Sequence, residues 1–196
     1  YVFVVESDTT FTYTCPEIGC TSPSALNYNA SAVFDDGTCL FVNPYIISEI
    51  EFNPTYDWSD GTLAITTGDD VSSSALPIGF DFNFFGTVYD EFRVNSNGWL
   101  SFDLNETAGY NPNGFIPNAN LPANSIMAVY SDLNPTTCGN IRFGLDGESP
   151  NRKCFVNWNA VCQFSCTSQT VNAQIVLHEA TNSIEIYIGQ RASCSW

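Results

Sequence analysis

The sequence predicts an all-β protein built as an antiparallel β-sandwich. Three observations support this class: short apolar–polar alternations of period two, turn-rich segments between them, and no 3.6-residue apolar period sustained over three helical turns. The alternating segments are rich in β-branched and aromatic residues and cover residues 3–14, 78–86, 140–145, 153–161, 172–180 and 183–189. Regularly spaced short strands of this kind favour two packed sheets, whose facing sides carry every second residue.

Two hairpins follow from the order of strands and turns. Residues 139–161 read as two strands around a Gly-Glu-Ser-Pro-Asn turn, and residues 173–189 as a second pair around Ala180–Ser183. Alternation in the second hairpin predicts one set of core-facing residues: Ile175, Leu177, Ile184, Ile186 and Ile188. His178 and Glu185 are then expected to face outwards.

Composition and charge limit the possible partners. The 196 residues include 21 Asp and Glu but only 5 Lys and Arg, for a formal net charge of -16. Nucleic acid is not an expected partner, because a phosphate backbone must be neutralised by basic side chains. Carboxylates suit hard cations such as calcium, but a solvated acidic surface explains the same excess. No apolar window is long enough for a membrane span, so direct membrane insertion is not expected either.

Eight cysteines without a CxxC pair indicate disulfides formed in an oxidising, extracellular compartment. We expect all eight to be oxidised. The turn near residues 147–150 brings the strands of Cys138 and Cys162 opposite one another, which favours a bond between them. No partner for Cys15 or Cys154 can be derived.

Two blocks of the chain carry a family resemblance. Residues 84–102, which contain FFG and VNSNGWLSF, and residues 149–158, SPNRKCFVNW, resemble the nidogen-like β-sandwich module. The resemblance covers about residues 45–196. More narrowly, it is to the version found in very large secreted surface proteins of gliding bacteria that use the type IX secretion route. It implies a disulfide between Cys166 and Cys194 and a module that continues past Trp196.

Residues 19–39, GCTSPSALNYNASAVFDDGTC, resemble a short repeat of the form GCT-x-P-x-A-x-NY…DDG-x-C, common in secreted marine bacterial and phage proteins. A unit of this size cannot build a stable core and needs a disulfide or a metal. A bond between Cys20 and Cys39 would remove about 3 kcal/mol of unfolded-chain entropy.

The domain organisation follows from these resemblances and from a composition shift near residues 40–45. We expect residues 1–18 to end a preceding segment, residues 19–41 to form the repeat, and residues 42–196 to form the sandwich, truncated at its C-terminus.

Several acidic pairs are candidate calcium ligands. Asp35 and Asp36 precede Gly37 in a sequence that also signals a simple turn, and no EF-type ligand spacing follows. Both interpretations therefore stay open for this pair. The same two alternatives apply to the other acidic loop pairs, Asp57 with Asp60 and Asp69 with Asp70.

Catalytic residues are not indicated. The sole histidine, His178, lies on a predicted strand beside Glu179, and neighbouring strand residues point to opposite faces, so the two do not form part of a triad. The sole lysine, Lys153, lies beside Cys154 in another strand, and no carboxylate pair stands out for glycoside hydrolysis. The sequence therefore predicts a protein that is not an enzyme and has no cofactor, with calcium as the one candidate ion.

Binding residues are sought in the loops. Tyr110 and Phe115 lie in a Pro/Gly-rich loop, where they either stack on sugar faces or plug the loop. Asn29 and Asn105 begin N-glycosylation sequons, and Thr9 is a candidate for O-linked glycan attachment.

These observations and resemblances together predict a non-enzymatic extracellular module of a long secreted surface protein. It would act at the cell surface in adhesion or as a structural spacer, in contact with surface glycans or with other modules of the same chain or assembly. The alternatives are a carbohydrate-binding module of a secreted enzyme, and a structural subunit of a phage particle or surface appendage.

Overall fold

The computed structural model describes residues 16–23, 25, 27–39, 45–65, 68–107, 109–110 and 121–192. The chain divides into two compact units, Tyr1–Ser48 and Glu49–Trp196. The domain limits predicted at residues 18 and 41 remain predictions. The strand predicted at residues 3–14 lies outside the described residues.

A disulfide holds the first unit. Cys20 and Cys39 are bonded with a Cα–Cα distance of 4.8 Å, which confirms the disulfide-closed mini-module. Isolated β-bridges join Ile18 to Phe34 and Cys20 to Tyr28. Ile18 and Phe34 are more than half exposed. The described part of this unit is therefore held by a covalent link and by local hydrogen bonds more than by a hydrophobic core.

The described residues of the second unit form ten β-strands: β1 (Thr62–Ile65), β2 (Leu76–Phe84), β3 (Thr87–Asn95), β4 (Trp99–Ser101), β5 (Ser125–Met127), β6 (Leu133–Asn134), β7 (Asn140–Asp146), β8 (Lys153–Gln163), β9 (Cys166–His178) and β10 (Ile184–Gln190). The part of the chain that the structure describes contains no helix able to span a membrane.

The strands form two antiparallel sheets, and the predicted all-β sandwich is confirmed. The six-stranded sheet has the order β1-β7-β8-β9-β10, with β6 also paired to β8, and the four-stranded sheet has the order β2-β3-β4-β5. Both predicted hairpins are present, as β7–β8 and β9–β10.

The core lies between the two sheets. Phe92 of β3 meets Phe143 of β7 edge to face, with ring centroids 6.1 Å apart. The indole Nε1 of Trp158, in β8, donates to the backbone oxygen of Asn95, in β3, at 3.1 Å. This bond lets a large ring be buried without an unsatisfied N–H group.

A segment at residues 52–61 crosses the outer face of the six-stranded sheet. The Tyr56 ring stacks on Phe155 at a centroid distance of 3.9 Å. The fully buried amides of Asn157 and Gln174 bond to each other at 2.7 Å, and Asn157 Nδ2 also donates to the backbone oxygen of Asp57. Strands β8 and β9 are therefore covered on both faces in their central parts.

Burial in β10 corrects one prediction. Ile175 and Leu177 of β9 are buried as expected, but Ile186 and Ile188 are 39% and 45% exposed. Tyr187, which points to the opposite face, is instead only 6% exposed, because the segment at residues 52–61 covers that side. The alternation assigned the correct face, but β10 is an edge strand and its inner face is incompletely covered.

His178 and Glu185 lie on the outer face of the same sheet. Their side chains meet at 3.2 Å, from Nε2 to Oε1, and both are partly buried. Burial raises the pKa of Glu185, but the imidazole and hydrogen bonds around the carboxylate outweigh it, so the pKa lies below the usual value.

All but one of the described cysteines are disulfide-bonded, as predicted. Cys138 and Cys162 are bonded, with a Cα–Cα distance of 5.3 Å, as the hairpin geometry predicts. Cys166 is disulfide-bonded. Its predicted partner, Cys194, and Cys15 lie outside the described residues. The prediction that all eight cysteines are oxidised is wrong, because Cys154 is a buried free thiol.

The position of Cys154 explains its reduced state. It pairs with Leu145 on β7 and with Leu177 on β9, so its side chain faces the interior of the sandwich. Burial raises the pKa of this thiol, which keeps it protonated and unreactive.

Candidate cation and ligand-contact site

A buried polar turn organises one group of loops. Asn95, at the end of β3, and Ser96 and Asn97, which follow it, are fully buried. Asn97 N donates to Asn95 Oδ1 at 2.9 Å, and Asn95 Nδ2 donates to Ser72 Oγ at 3.0 Å. Gly98 closes the turn with a φ of +88°, and a Cβ at this position would lie 2.5 Å from the backbone oxygen of Val129. The turn is thus fixed by tertiary contacts, unlike an exposed hairpin loop.

The Asn97 side chain joins two loops that are distant in sequence. Its Oδ1 accepts from Leu133 N at 2.8 Å, and its Nδ2 donates to Asp70 Oδ1 at 2.6 Å. Two hydrogen bonds between Ser96 and Val71 add to this link. Ser96 N donates to Val71 O, and Val71 N donates to Ser96 Oγ. These bonds hold the loop before β2 against the segment that leads into β6.

Three carboxylates converge where these loops meet. Asp69, Asp70 and Asp132 each offer an oxygen atom, and the three atoms lie within 4.8 Å of one another. Asp69 Oδ2 accepts from Asn134 Nδ2 at 2.8 Å, whereas Asp69 Oδ1 is buried and has no hydrogen-bond partner. Clustered carboxylate oxygens are ligands that calcium prefers, so these three aspartates fit the predicted ion.

Electrostatics in this acidic cluster disfavour three bare charges. Burial raises the pKa of Asp69, and the charge of Asp70 adds to the effect. Burial likewise raises the pKa of Asp132, with further contributions from Asp70 and Asp69. Proton binding or cation binding would relieve this repulsion.

A pair of tyrosines borders the acidic cluster. Tyr110 N donates to Asp70 Oδ1 at 3.1 Å, and the Tyr110 ring lies 5.4 Å from the Tyr130 ring, centroid to centroid. Burial raises the pKa of Tyr110, as do the nearby Asp132 and Tyr130. Tyr110 is half-buried. Phe115, the other predicted contact residue, lies outside the described residues.

The first acidic pair is arranged differently. Asp35 accepts hydrogen bonds from Thr21 N at 3.1 Å, Thr21 Oγ1 at 2.7 Å and Gly37 N at 2.7 Å. Asp36 accepts from Thr38 N at 2.9 Å and Thr38 Oγ1 at 2.5 Å. The side-chain bond from Thr21 is the main cause that lowers the pKa of Asp35, and the one from Thr38 lowers the pKa of Asp36. These contacts support the turn interpretation of both residues.

The sulfur atoms of Cys20 and Cys39 lie close to a carboxylate oxygen of Asp35, and three such residues are the kind of group that can bind a metal ion. The two sulfur atoms are bonded to each other, however, so neither can act as a thiolate ligand.

Asp57 and Asp60 stabilise the segment over the outer sheet face. Asp57 Oδ1 accepts from Ser59 N and Ser59 Oγ, and Asp60 Oδ2 accepts from Asp57 N at 2.9 Å. Hydrogen bonds from Ser59 lower the pKa of Asp57. These carboxylates also form a local turn.

The predicted glycan acceptors stay predictions. Asn105 is exposed, and both its backbone N and its Nδ2 donate to Asp103 Oδ1. Asn29 is half-buried, and its Oδ1 accepts from Ser31 N. Thr9 lies outside the described residues.

Sequence reasoning missed Asp132, Asn97 and Asn134. Asp132 and Asn134 stand in the stretch SDLNP, which carries a turn signal but nothing that points to Asp69. The buried state of Asn97 is equally invisible in NSNG, because the same letters describe an exposed turn.

The two packed sheets and the disulfides define a class, the disulfide-bonded β-sandwich module. The chain belongs to the NIDO-related family, whose model matches residues 46–195. This finding confirms the nidogen-like resemblance, and NIDO-related β-sandwich domains are typically non-catalytic. No curated protein and no solved structure matches the chain.

Proposed function

We propose that this chain is a non-enzymatic module of a long secreted surface protein and that it acts in adhesion. The family assignment supports an extracellular module, and two disulfides among the described residues suit an oxidising compartment. Resemblance of residues 84–102 and 149–158 to modules of gliding bacteria supports cell-surface display through the type IX route. A purely structural spacer is the alternative use of the same rigid fold.

One observation carries the adhesive role. Tyr110, predicted as a ligand contact, and Asp69 and Asp70, predicted as cation ligands, occupy one loop surface together with Asp132 and Tyr130. Loops held by a rigid sandwich are the usual place for recognition, because the sheets fix their positions.

A surface glycan is the ligand that best fits this chemistry. Tyrosine rings can pack against the apolar faces of sugars while their hydroxyl groups accept and donate hydrogen bonds. Asp69, Asp70 and Asp132 would hold calcium, and a bound calcium ion supplies coordination sites for sugar hydroxyls. The carboxylates would also accept hydrogen bonds from those hydroxyls directly.

Attachment to a glycan array and to cells tests the proposal. Tyr110→Ala should weaken attachment roughly fivefold, the size of one lost aromatic contact, with little change in melting temperature. Tyr28→Ala removes a tyrosine that is 44% exposed in the first unit and serves as the matched control. A chelator should likewise weaken the attachment of the wild-type protein.

Two results would count against the adhesive role. Equal attachment by the wild-type and Tyr110→Ala proteins would remove this surface as the contact. Absence of any wild-type attachment to glycans or cells would favour the spacer.

A further inference from the structure

The outer strands of the two described sheets differ in how well they are protected against pairing. β1 has four residues and a register irregularity, and β5 has only three residues. β2 is longer but contains Pro77 and an irregularity between Pro77 and Phe82. Short length, proline and bulges are devices that prevent an edge strand from recruiting another chain.

β10 lacks these devices over most of its length. Its pairing with β9 is regular from Ile184 to Ile188, in the sequence IEIYI, without proline or lysine. Its one charged side chain in this stretch, Glu185, already contacts His178. Ile186 and Ile188 remain 39% and 45% exposed, and no described strand pairs with the outer edge of β10. An apolar, unprotected edge of this kind favours strand addition.

We propose that the Ile184–Ile188 segment of β10 pairs antiparallel with the same segment of a second copy of this chain. The two-fold axis would pass beside Ile186, as in an isologous dimer. Ile186 would face Ile186 of the second copy, and Ile184 would face Ile188. The two six-stranded sheets would then form one continuous sheet.

The sequence of the strand is complementary to itself in this register. Every isoleucine lies opposite an isoleucine, and Glu185 lies opposite Tyr187, whose hydroxyl already donates to a glutamate oxygen within the chain. A register centred on Glu185 would instead place two carboxylates directly opposite each other, which is unfavourable. The pairing also satisfies the backbone N–H and C=O groups along the edge.

Net charge predicts how the association depends on salt. Each copy carries a formal charge of -16, so two copies repel each other at long range. Added salt screens this repulsion without weakening the apolar and backbone contacts. The dimer should therefore become tighter as the salt concentration rises.

Sedimentation equilibrium over a range of protein and salt concentrations tests the interface. Ile186→Lys should weaken dimerisation at least roughly tenfold, because it places two ammonium groups opposite each other. Val88→Lys is the matched control, since Val88 is a 57% exposed residue on β3, in the other sheet. A wild-type protein that stays monomeric at every salt concentration, or equal weakening by both variants, overturns the proposal.

Cysteine cross-linking tests the register. Directly opposed strand residues have Cα atoms about 4.5–5.5 Å apart, a distance that suits a disulfide. Ile186→Cys should form a covalent dimer by itself, whereas Ile184→Cys should cross-link only when mixed with Ile188→Cys. The native thiol of Cys154 is buried and does not compete. The proposed pairing is contradicted if folded Ile186→Cys does not cross-link, or if Ile184→Cys alone forms covalent dimers faster than Ile186→Cys alone.

Discussion

Two acidic turns of this protein look alike in sequence but differ in structure. Asp35 and Asp36 lie in the small disulfide-bonded unit, and Asp69 and Asp70 lie in a loop of the sandwich. In the first turn, threonine and backbone donors surround the carboxylates. In the second, Asp132 arrives from a distant part of the chain and places a third carboxylate beside the pair.

The pKa values of the aspartates are shifted in opposite directions at the two turns. Hydrogen bonds from Thr21 and Thr38 lower the pKa values of Asp35 and Asp36. Burial and neighbouring negative charge raise those of Asp69 and Asp132. A pair of aspartates therefore marks either a satisfied turn or a cluster of mutually repelling carboxylates, and the residues around the pair decide between them.

The largest expected effect is on the turn that supports the acidic cluster. Gly98→Ala should destabilise the sandwich by about 2–4 kcal/mol, because alanine disfavours the positive φ and its Cβ would overlap the Val129 carbonyl. Gly37→Ala, at a φ of +74° with open space around it, should cost about 1 kcal/mol and affect only the small unit.

Denaturant unfolding followed by tryptophan fluorescence measures the first effect, since Trp99 and Trp158 are fully buried in the sandwich. Gly37→Ala should leave this transition unchanged, and an equally unchanged transition in Gly98→Ala would mean that Gly98 tolerates a side chain and that the supporting turn is less rigid than described.

The second-largest expected effect is the stabilisation by calcium, which should depend on one acidic turn and not on the other. If the ion binds only the folded sandwich, a hundredfold excess over its Kd adds about 2.7 kcal/mol and raises the melting temperature by several degrees. Asp132→Asn should abolish most of this increase, and Asp36→Asn should leave it unchanged.

Calorimetric scans with millimolar calcium and with chelator provide this measurement. Superimposable wild-type curves would mean that Asp69 and Asp70 bind no calcium and belong to a solvated loop. Loss of the melting-temperature increase in Asp36→Asn would mean that the ion binds to the small unit instead.

The smallest expected effect concerns protons in the absence of calcium. The pKa values of Asp69 and Asp132 are raised above 3.8 in the folded state, so their protonated forms favour folding. This contribution is present below 3.8 and is lost as the pH rises through the folded-state pKa values. Asp69→Asn should therefore stabilise the calcium-free protein at neutral pH, by less than about 1 kcal/mol.

The sign reverses in the small unit. The pKa of Asp35 is lowered, so its carboxylate contributes stability above 3.8 that is lost as the pH falls through the folded-state pKa. Titration of the carboxyl ¹³C shifts should give midpoints above 3.8 for Asp69 and Asp132 and below 3.8 for Asp35 and Asp36. A common midpoint for all four would remove the distinction between the turns.

Much of the fold could be predicted because its signals are local. Period-two alternation predicted the strands that became β7 to β10, and glycine- and asparagine-rich stretches predicted the turns between them. The bond between Cys138 and Cys162 followed from hairpin geometry alone. The face assigned to the isoleucines of β10 was also correct. Their exposure was not predictable, because alternation does not show where the opposite sheet ends.

By itself, therefore, the sequence determined the all-β class, the hairpins, the acidic surface and the candidates Asp69, Asp70 and Tyr110. Only the tertiary structure decided which candidates meet, since contacts such as Asn97 to Asp70 and the approach of Asp132 join segments that are distant along the chain. It also decided that Cys154 stays reduced, because its neighbours across β7 and β9 are leucines. The physical reason is that period and turn chemistry act over a few residues, whereas burial, charge repulsion and disulfide partners depend on which strands and loops become neighbours.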